Sequence, residues 1–178
     1  MLSNLNLEFF HFGSFTAVWY WVFLALSWSR VAHYVMGVPF DAVQRAERVG
    51  GAFVEDVDRM AEANARRFVS LMRYAGVWLI GVGTFFLTGI VVLALVFDNQ
   101  AAQAVAVIAL PQAVVGWYTW RLSERVLDAP LTGEALWRAL ARRRFWNQVA
   151  GFVSLCAAAA FTGRLYGMAI VEGQYWLR

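Results

Sequence analysis

Two histidines, His11 and His33, are the side chains of this chain best suited to hold a cofactor. Two imidazoles that face each other inside a membrane bundle can ligate a haem iron. These two are 22 residues apart, which separates them by roughly 33 Å in a helix that rises 1.5 Å per residue. They therefore cannot share a haem within one chain, whereas a haem ligated across a homodimer stays open. We expect no cofactor, and an interfacial hydrogen bond is the ordinary interpretation of each histidine.

The remaining reactive side chains argue against catalysis. The one cysteine, Cys156, lies in an apolar stretch, so we expect a small buried side chain and no disulfide, zinc or iron–sulfur site. Ionisable residues inside a membrane usually mark an ion or proton pathway. Here only Arg164 lies within a long apolar run, near its outer end, where it can extend to the interface. The sequence therefore predicts no enzyme, and it argues against an autonomous ion pump or secondary transporter.

A possible polar site is the pair Pro111-Gln112 in an apolar segment. A proline inside a helix leaves the carbonyl one turn earlier without its N–H donor and kinks the helix. The glutamine amide is then available to a substrate or to a neighbouring helix. A simple kink is the alternative, because most prolines in membrane helices do no more than bend them.

Four apolar segments must position these residues. Hydrophobic residues make up 61% of the chain and charged residues only 15%, whereas about a quarter of a soluble domain is charged. A helix of roughly 20 apolar residues crosses a hydrocarbon core, and such helices are predicted at 9–29, 74–97, 101–120 and 145–171. Only a few polar residues separate the second and third, which predicts an antiparallel hairpin. The expected fold is all-α: a single membrane domain with four transmembrane helices.

Two further helical segments are predicted outside the membrane, at about 40–72 and 131–144. In the first, apolar residues keep to one helical face and charged residues to the other, as in an amphipathic helix. Its mixed charges favour a helix that lies on the membrane or on a partner, and a solvated continuation of the spans is the alternative. We expect Gly50-Gly51 to bend or break it. Before the second segment, Asp128-Ala129-Pro130 predicts a turn and Thr132 a helix N-cap.

The distribution of arginine predicts the orientation. All fifteen basic residues are arginine; seven lie between the first and second spans, six between the third and fourth, and two elsewhere. Arginine-rich short loops stay in the cytoplasm, so both termini should lie in the periplasm of a bacterial inner membrane. The adjacent residues Arg142, Arg143 and Arg144 should lie at headgroup depth, where each attracts anionic lipid by on the order of 1 kcal/mol. An orientation anchor without specific lipid binding is the alternative.

Small residues in the fourth span predict a close helix contact. Small side chains let backbones approach where lipid supplies no hydrophobic driving force. One stripe at four-residue spacing consists of Gly151, Leu155, Ala159, Gly163 and Gly167. Trp19 and Trp21 fall near the middle of the first span, where a neighbouring helix or a bound lipid would explain them. The alternatives are that the second and fourth spans pack on each other and that the tryptophans face lipid.

Together these features predict a non-catalytic accessory or scaffold subunit of a larger bacterial inner-membrane complex. The expected partners are membrane lipid and other integral membrane subunits, or a second copy of the chain. Nucleic acid is not expected, because the arginines flank apolar segments and do not line one polar face. The first alternative is the small membrane subunit of a multi-component transporter, which rests on size and helix count. The second is a haem-bearing membrane anchor of an oxidoreductase, which rests on His11 and His33.

The arginine bias yields a test of topology. A reporter that is active only in the periplasm should be active when fused after Arg178 and inactive when fused after Gly51, because the arginine-rich connections stay in the cytoplasm. Reporter activity in cells expressing each fusion at matched levels is the measurement. The reverse pattern would show that the orientation is wrong.

Overall fold

The structure, a computed structural model, describes residues 18–129 and 131–175. Five helices contain 90% of these residues, and a short two-stranded hairpin lies between the first two. In chain order the elements are α1 (Val18–His33), β1 (Tyr34–Val35), β2 (Val38–Pro39), α2 (Phe40–Val49), α3 (Ala52–Leu95), α4 (Gln100–Asp128) and α5 (Gly133–Tyr175). The predicted all-α class is confirmed for the described residues.

Three helices, α3, α4 and α5, are long and apolar enough to cross a membrane, and this is compatible with a multi-pass membrane protein. They contain the second, third and fourth predicted spans. The first predicted span, 9–29, is described only from Val18 onward, where the 16-residue α1 begins. Positions 9–17 lie outside the described residues, so the first predicted span, and with it the total of four, stays a prediction. At its other end, α1 continues past the predicted boundary to His33.

Helices α3 and α5 are each continuous where the sequence suggested two segments. They are 44 and 43 residues long, so most of the segments predicted at 40–72 and 131–144 are the first turns of the spanning helices. The junctions at 72–75 and 142–147 contain neither glycine nor proline. No helix-breaking residue therefore ends either helix at the boundary between its predicted polar segment and its predicted span.

A short capped turn joins α3 to α4, and the predicted hairpin of the second and third spans is confirmed. The Asn99 side chain caps α4 by accepting a hydrogen bond from the Ala102 N–H at 3.0 Å. Asp98 adopts a left-handed φ of 48°, and its carboxylate accepts a hydrogen bond from the Gln103 amide at 2.6 Å. Small side chains fill the helix contact beside the turn: Ala94, Ala102 and Ala106.

The largest core lies where β1–β2, α2 and the ends of the three long helices meet, a region that we call the arginine-rich end. Its buried members are Val35, Met36, Val38, Val43, Ala46, Val57, Ala61, Ala65, Leu122, Val126, Leu136 and Leu140. On α3 the buried positions recur every four residues, which keeps them on one face. The amphipathic face predicted to lie on lipid or on a partner is only partly covered by the chain itself: Val43 and Val57 are buried, whereas Phe53 and Met60 are exposed. The covered part packs on α4 and α5, which extend beyond their apolar stretches.

Backbone turns at the arginine-rich end require residues with positive φ. Helix α2 ends at Val49 and α3 begins at Ala52, and the glycines between them have φ values of 70° and 61°. The predicted break at Gly50-Gly51 is therefore confirmed. In the β1–β2 turn, Gly37 has a φ of 75°, and a Cβ atom there would lie 2.8 Å from the Asn64 Nδ2. Only glycine lets this turn approach α3 so closely.

The start of α5 is bound to α3 by a carboxylate. The Gly133 N–H donates to the Asp58 carboxylate, at 3.0 Å to Oδ1 and 3.1 Å to Oδ2. A negative side chain at a helix N-terminus also interacts favourably with the helix dipole. Thr132, the predicted cap, is exposed, and its capping role stays a prediction, whereas Asp58 accepts from the first N–H of α5 from a different helix. The sequence could not indicate this, because Asp58 is 75 residues away from Gly133.

The cap predicts a measurable loss of stability in Asp58→Ala. Removing the carboxylate leaves an N–H at the start of α5 without its acceptor, so the free energy of unfolding should fall by about 1–2 kcal/mol. Denaturant titration of the detergent-solubilised protein, followed by circular dichroism, measures this loss. Asp56→Ala is the matched control, because Asp56 is an exposed carboxylate two residues away. Equal stability of the two variants would contradict the role of the cap.

Candidate functional site

The proline of α4 creates a polar point in the apolar part of the bundle. Pro111 has no N–H, so the carbonyl of Val107, four residues earlier, has no helical donor. Ser154 of α5 is 1% exposed, and its hydroxyl donates a hydrogen bond to that carbonyl. The predicted free carbonyl is therefore satisfied by a neighbouring helix. Gln112, the other predicted polar residue, is half-buried.

The small-residue stripe of α5 divides into a covered part and an uncovered part. Gly151 is buried, and a Cβ atom at this position would lie 3.1 Å from the Trp28 ring of α1. Ala159, Gly163 and Gly167 are exposed, and no described atom lies within 4 Å of a Cβ built at either glycine. The stripe thus packs on α1 at its Gly151 end. The alternative that the sequence left open was packing of the fourth span on the second span, which is part of α3.

The two tryptophans of α1 have different surroundings. Trp19 is 77% exposed. Trp21 is half-buried and contacts the Tyr20 ring edge to face, with the ring centroids 5.8 Å apart. The residue that anchors α1 to α5 is Trp28, which the sequence analysis did not select. The indole of Trp19 remains available to lipid or to a partner.

His33 and Cys156, the described members of the three reactive side chains singled out in the sequence, lie on different helices. His33 ends α1 and is exposed, with its Nε2 3.7 Å from the Asp41 Oδ2. His11 lies outside the described residues. Cys156, expected to be buried, is exposed on α5, because a helix in an apolar solvent need not cover a small apolar side chain. Within 18–129 and 131–175, no three His, Cys, Asp or Glu side chains form a group that could hold a metal ion.

The three adjacent arginines point in different directions, because successive helical residues are rotated by about 100°. The Arg144 guanidinium lies 3.9 Å from the centroid of the Phe40 ring, so this arginine joins α5 to α2. Arg143 donates a hydrogen bond to the Val115 carbonyl at 2.6 Å. Arg142 is exposed beside a cleft between α4 and α5. Lipid headgroup binding by these three arginines stays a prediction, and their contacts within the protein differ from one arginine to the next.

That cleft gathers arginines from two helices, and we call it the arginine cleft. Its volume is about 190 Å³, and no carboxylate lines it. The lining residues used below are Tyr118, Arg121, Arg125, Arg142, Arg143 and Trp146. The sequence analysis missed Arg121 and Arg125 as members of this site. The sequence contains one signal that could have identified them. They are four residues apart at the end of α4, which lies opposite the start of the antiparallel helix α5.

A second cavity, also missed, lies between α1, β1, α3, α4 and α5. Its volume is about 480 Å³, and Arg67 and Thr119 are among its few polar lining residues. Asn147, 3% exposed, donates from Nδ2 to the Val31 carbonyl at 3.2 Å, whereas its Oδ1 is buried without a donor among the described residues. Apolar walls with a few fixed polar groups are usual in small-molecule sites. The sequence signal for this cavity was Asn147, a polar residue at the start of the fourth predicted span.

The contact at Val107 yields a double-mutant cycle. Ser154→Ala should lower the free energy of unfolding by about 1 kcal/mol, because it leaves a buried carbonyl without a donor. In a Pro111→Ala background, residue 111 regains its N–H, and the same serine change should have a smaller effect. The free energy of unfolding is measured in detergent micelles for wild type, for the two single variants and for the double variant. It gives the effect of Ser154→Ala with and without the proline. Equal losses in the two backgrounds would contradict the proposed link between the proline and the serine.

The interior polar contacts just described mostly join helices to one another. Ser154 and Asn147 each donate to a carbonyl of another helix, and the Tyr20 hydroxyl donates to the Ala104 carbonyl at 3.3 Å. The arginine cleft and the cavity at Asn147 are two places where polar side chains line an open space. Comparison of the chain with protein-family models, with curated proteins and with solved structures finds no match.

Proposed function

We propose that this chain is a non-catalytic accessory or scaffold subunit of a larger complex in a bacterial inner membrane, and that α3 is its main contact with a partner subunit. The arginine-rich end faces the cytoplasm in this proposal, because arginine-rich connections are retained there. The partner is another integral membrane protein, since the surface concerned is apolar along its length.

The uncovered apolar stretch of α3 carries the proposal. In its most apolar stretch of 18 residues, 6% of the residues are buried, against 28% in α4 and 22% in α5. Helix α3 nevertheless starts in the largest core and ends in a capped turn, so both of its ends are fixed. A helix held in this way presents its middle turns as a firm surface for another helix.

The composition of this surface favours a helix as its neighbour. One face of α3 forms an open groove of about 700 Å³ that includes Gly81, Thr84, Thr88 and Gly89. No described atom lies within 4 Å of a Cβ built at either glycine. Small residues on one face are the usual means by which membrane helices approach closely. We call these four residues the α3 groove.

The polar atoms of the α3 groove are compatible with a dry contact. The Thr84 hydroxyl donates to the Ile80 carbonyl at 2.7 Å within the same helix. A threonine that bonds to its own backbone can face lipid or another helix without a further partner. The neighbouring Phe85 and Phe86 are largely exposed and line the groove, so they can pack around an incoming helix.

The α5 stripe offers a second, smaller surface. Gly163 and Gly167 are one turn apart and exposed, whereas Gly151 of the same stripe already packs on Trp28. The pair has the spacing at which two helices cross closely. A partner that contacts both α3 and α5 would meet small residues at each position.

Co-purification tests the proposal. The protein solubilised mildly from its native membrane should migrate with at least one other polypeptide. Gly81→Leu with Gly89→Leu should weaken that association, because interhelical contacts are worth roughly 1 kcal/mol each and leucine holds the backbones apart. The measurement is the amount of partner recovered per chain, by gel filtration and mass spectrometry.

Matched variants separate the surfaces. Ala101→Leu with Ala113→Leu also introduces two leucines, at exposed positions of α4, and should leave the partner bound. Gly163→Leu with Gly167→Leu measures the contribution of the α5 stripe. A wild-type chain that migrates as a lone monomer would refute the subunit proposal. A partner retained in the α3 variant would place the contact elsewhere and refute the role of the α3 groove.

A further inference from the structure

We infer that the arginine cleft binds the phosphate group of a membrane phospholipid. The inference concerns a surface away from the α3 groove, and it does not depend on a partner subunit. It rests on the convergence of four guanidinium groups, on their lack of carboxylate partners, and on the position of the cleft along the helices.

Helix geometry brings the four arginines together. Arg121 and Arg125 are one turn apart on α4, and Arg142 and Arg143 lie on the facing turns of α5. Arg121 and Arg125 are four residues apart and share one face of α4, whereas Arg142 and Arg143 are adjacent on α5, so their side chains line the cleft from directions about 100° apart. The Arg143 guanidinium is fixed by its bond to the Val115 carbonyl and lies 5.2 Å from the centroid of the Tyr118 ring. One side of the cleft is therefore preorganised.

The charges of the cleft are not balanced by ion pairs with other residues that the structure describes. The ion pairs among the described residues join His33 to Asp41, and Arg59, Arg66 and Arg138 to the glutamates one turn before them. None of the four cleft arginines has such a partner in that part of the chain. The Nε of Arg143 is buried and has no acceptor there either. Four like charges around a small space repel one another unless an anion lies between them.

A phosphate is the anion that this arrangement fits. Guanidinium groups form paired hydrogen bonds with phosphate oxygens, and several of them can surround one phosphate. The arginine cleft, about 190 Å³ in volume, opens onto the surface between the two helices. A phosphate that is still attached to a larger molecule can therefore enter it.

The position of the cleft favours a lipid as the source of that phosphate. Arg121 directly follows the third predicted span and Arg143 shortly precedes the fourth, so the cleft lies where headgroups are expected. Tyr118 and Trp146 line it and are largely exposed, as aromatic residues at an interface are. Toward the apolar part of the same two faces, Val114 and Val153 are exposed. Acyl chains attached to the bound phosphate would lie along these side chains.

Native mass spectrometry of the full chain in a neutral detergent tests the inference, with dioleoyl phosphatidylglycerol as the probe. Wild type should bind one molecule of this lipid more tightly than dioleoylglycerol, which has the same chains without the phosphate. The double change Arg125→Gln with Arg142→Gln should weaken binding of the lipid by about 30-fold, since each arginine near an anionic lipid contributes about fivefold to the affinity. Both side chains are exposed, so the fold should tolerate the change.

Controls separate charge at this cleft from charge in general. Arg48→Gln with Arg73→Gln removes two exposed arginines that do not line the cleft and should leave affinity unchanged. Arg125→Lys with Arg142→Lys keeps the charge but loses the paired hydrogen bonds, so it should bind the lipid more tightly than the glutamine variant and more weakly than wild type. Equal binding by wild type and the folded glutamine variant would overturn the site. If wild type bound dioleoylglycerol as tightly as dioleoyl phosphatidylglycerol, the site would be overturned without any variant. Displacement of the lipid by an equal concentration of inorganic phosphate would overturn the lipid as the source of the anion.

Discussion

In the apolar part of this bundle, a backbone carbonyl that loses its helical donor must find another donor within the protein. Pro111 creates one such carbonyl at Val107, and the Ser154 hydroxyl of α5 satisfies it. This bond fixes the position of α5 along α4. It also places Gly151, one turn before Ser154, where the Trp28 ring of α1 packs against its backbone. One missing N–H group thus leads to a hydrogen bond that helps to position three helices.

The two ends of the molecule are held together by different means. At the arginine-rich end, large aliphatic side chains such as Leu136 and Leu140 form a core like that of a soluble domain. Toward the turn between α3 and α4, the contact is made by Ala94, Ala102 and Ala106, whose small side chains bring backbones together without burying much area. Burial of large side chains stabilises the first region, whereas close packing and a few hydrogen bonds stabilise the second. Substitutions that add bulk should therefore be most harmful near Ala102 and Gly151.

Sequence patterns predicted those features that depend on one segment at a time. The long apolar runs, the α3–α4 hairpin, the break at Gly50-Gly51 and the free carbonyl near Pro111 all follow from local chemistry. Features that depend on how helices rotate against each other were not predicted. The pairing of Asp58 with the start of α5, the exposure of Cys156 and the convergence of arginines from α4 and α5 belong to this group. A helix whose surroundings are entirely apolar gives little periodic signal of which face its neighbours cover.

Helix α3 is one unbroken rod of 44 residues, about 66 Å long at 1.5 Å per residue. Its groove at Gly81 and its buried Val57 lie on the same rod, about 36 Å apart by the same measure. A partner helix that tilts the groove by about 5° would displace Val57 by about 3 Å if the rod does not bend. A close-packed core does not absorb such a shift by compression. Helix α2, joined to α3 through two glycines, is the element that can move with it, so binding in the apolar layer would be transmitted as motion at the arginine-rich end.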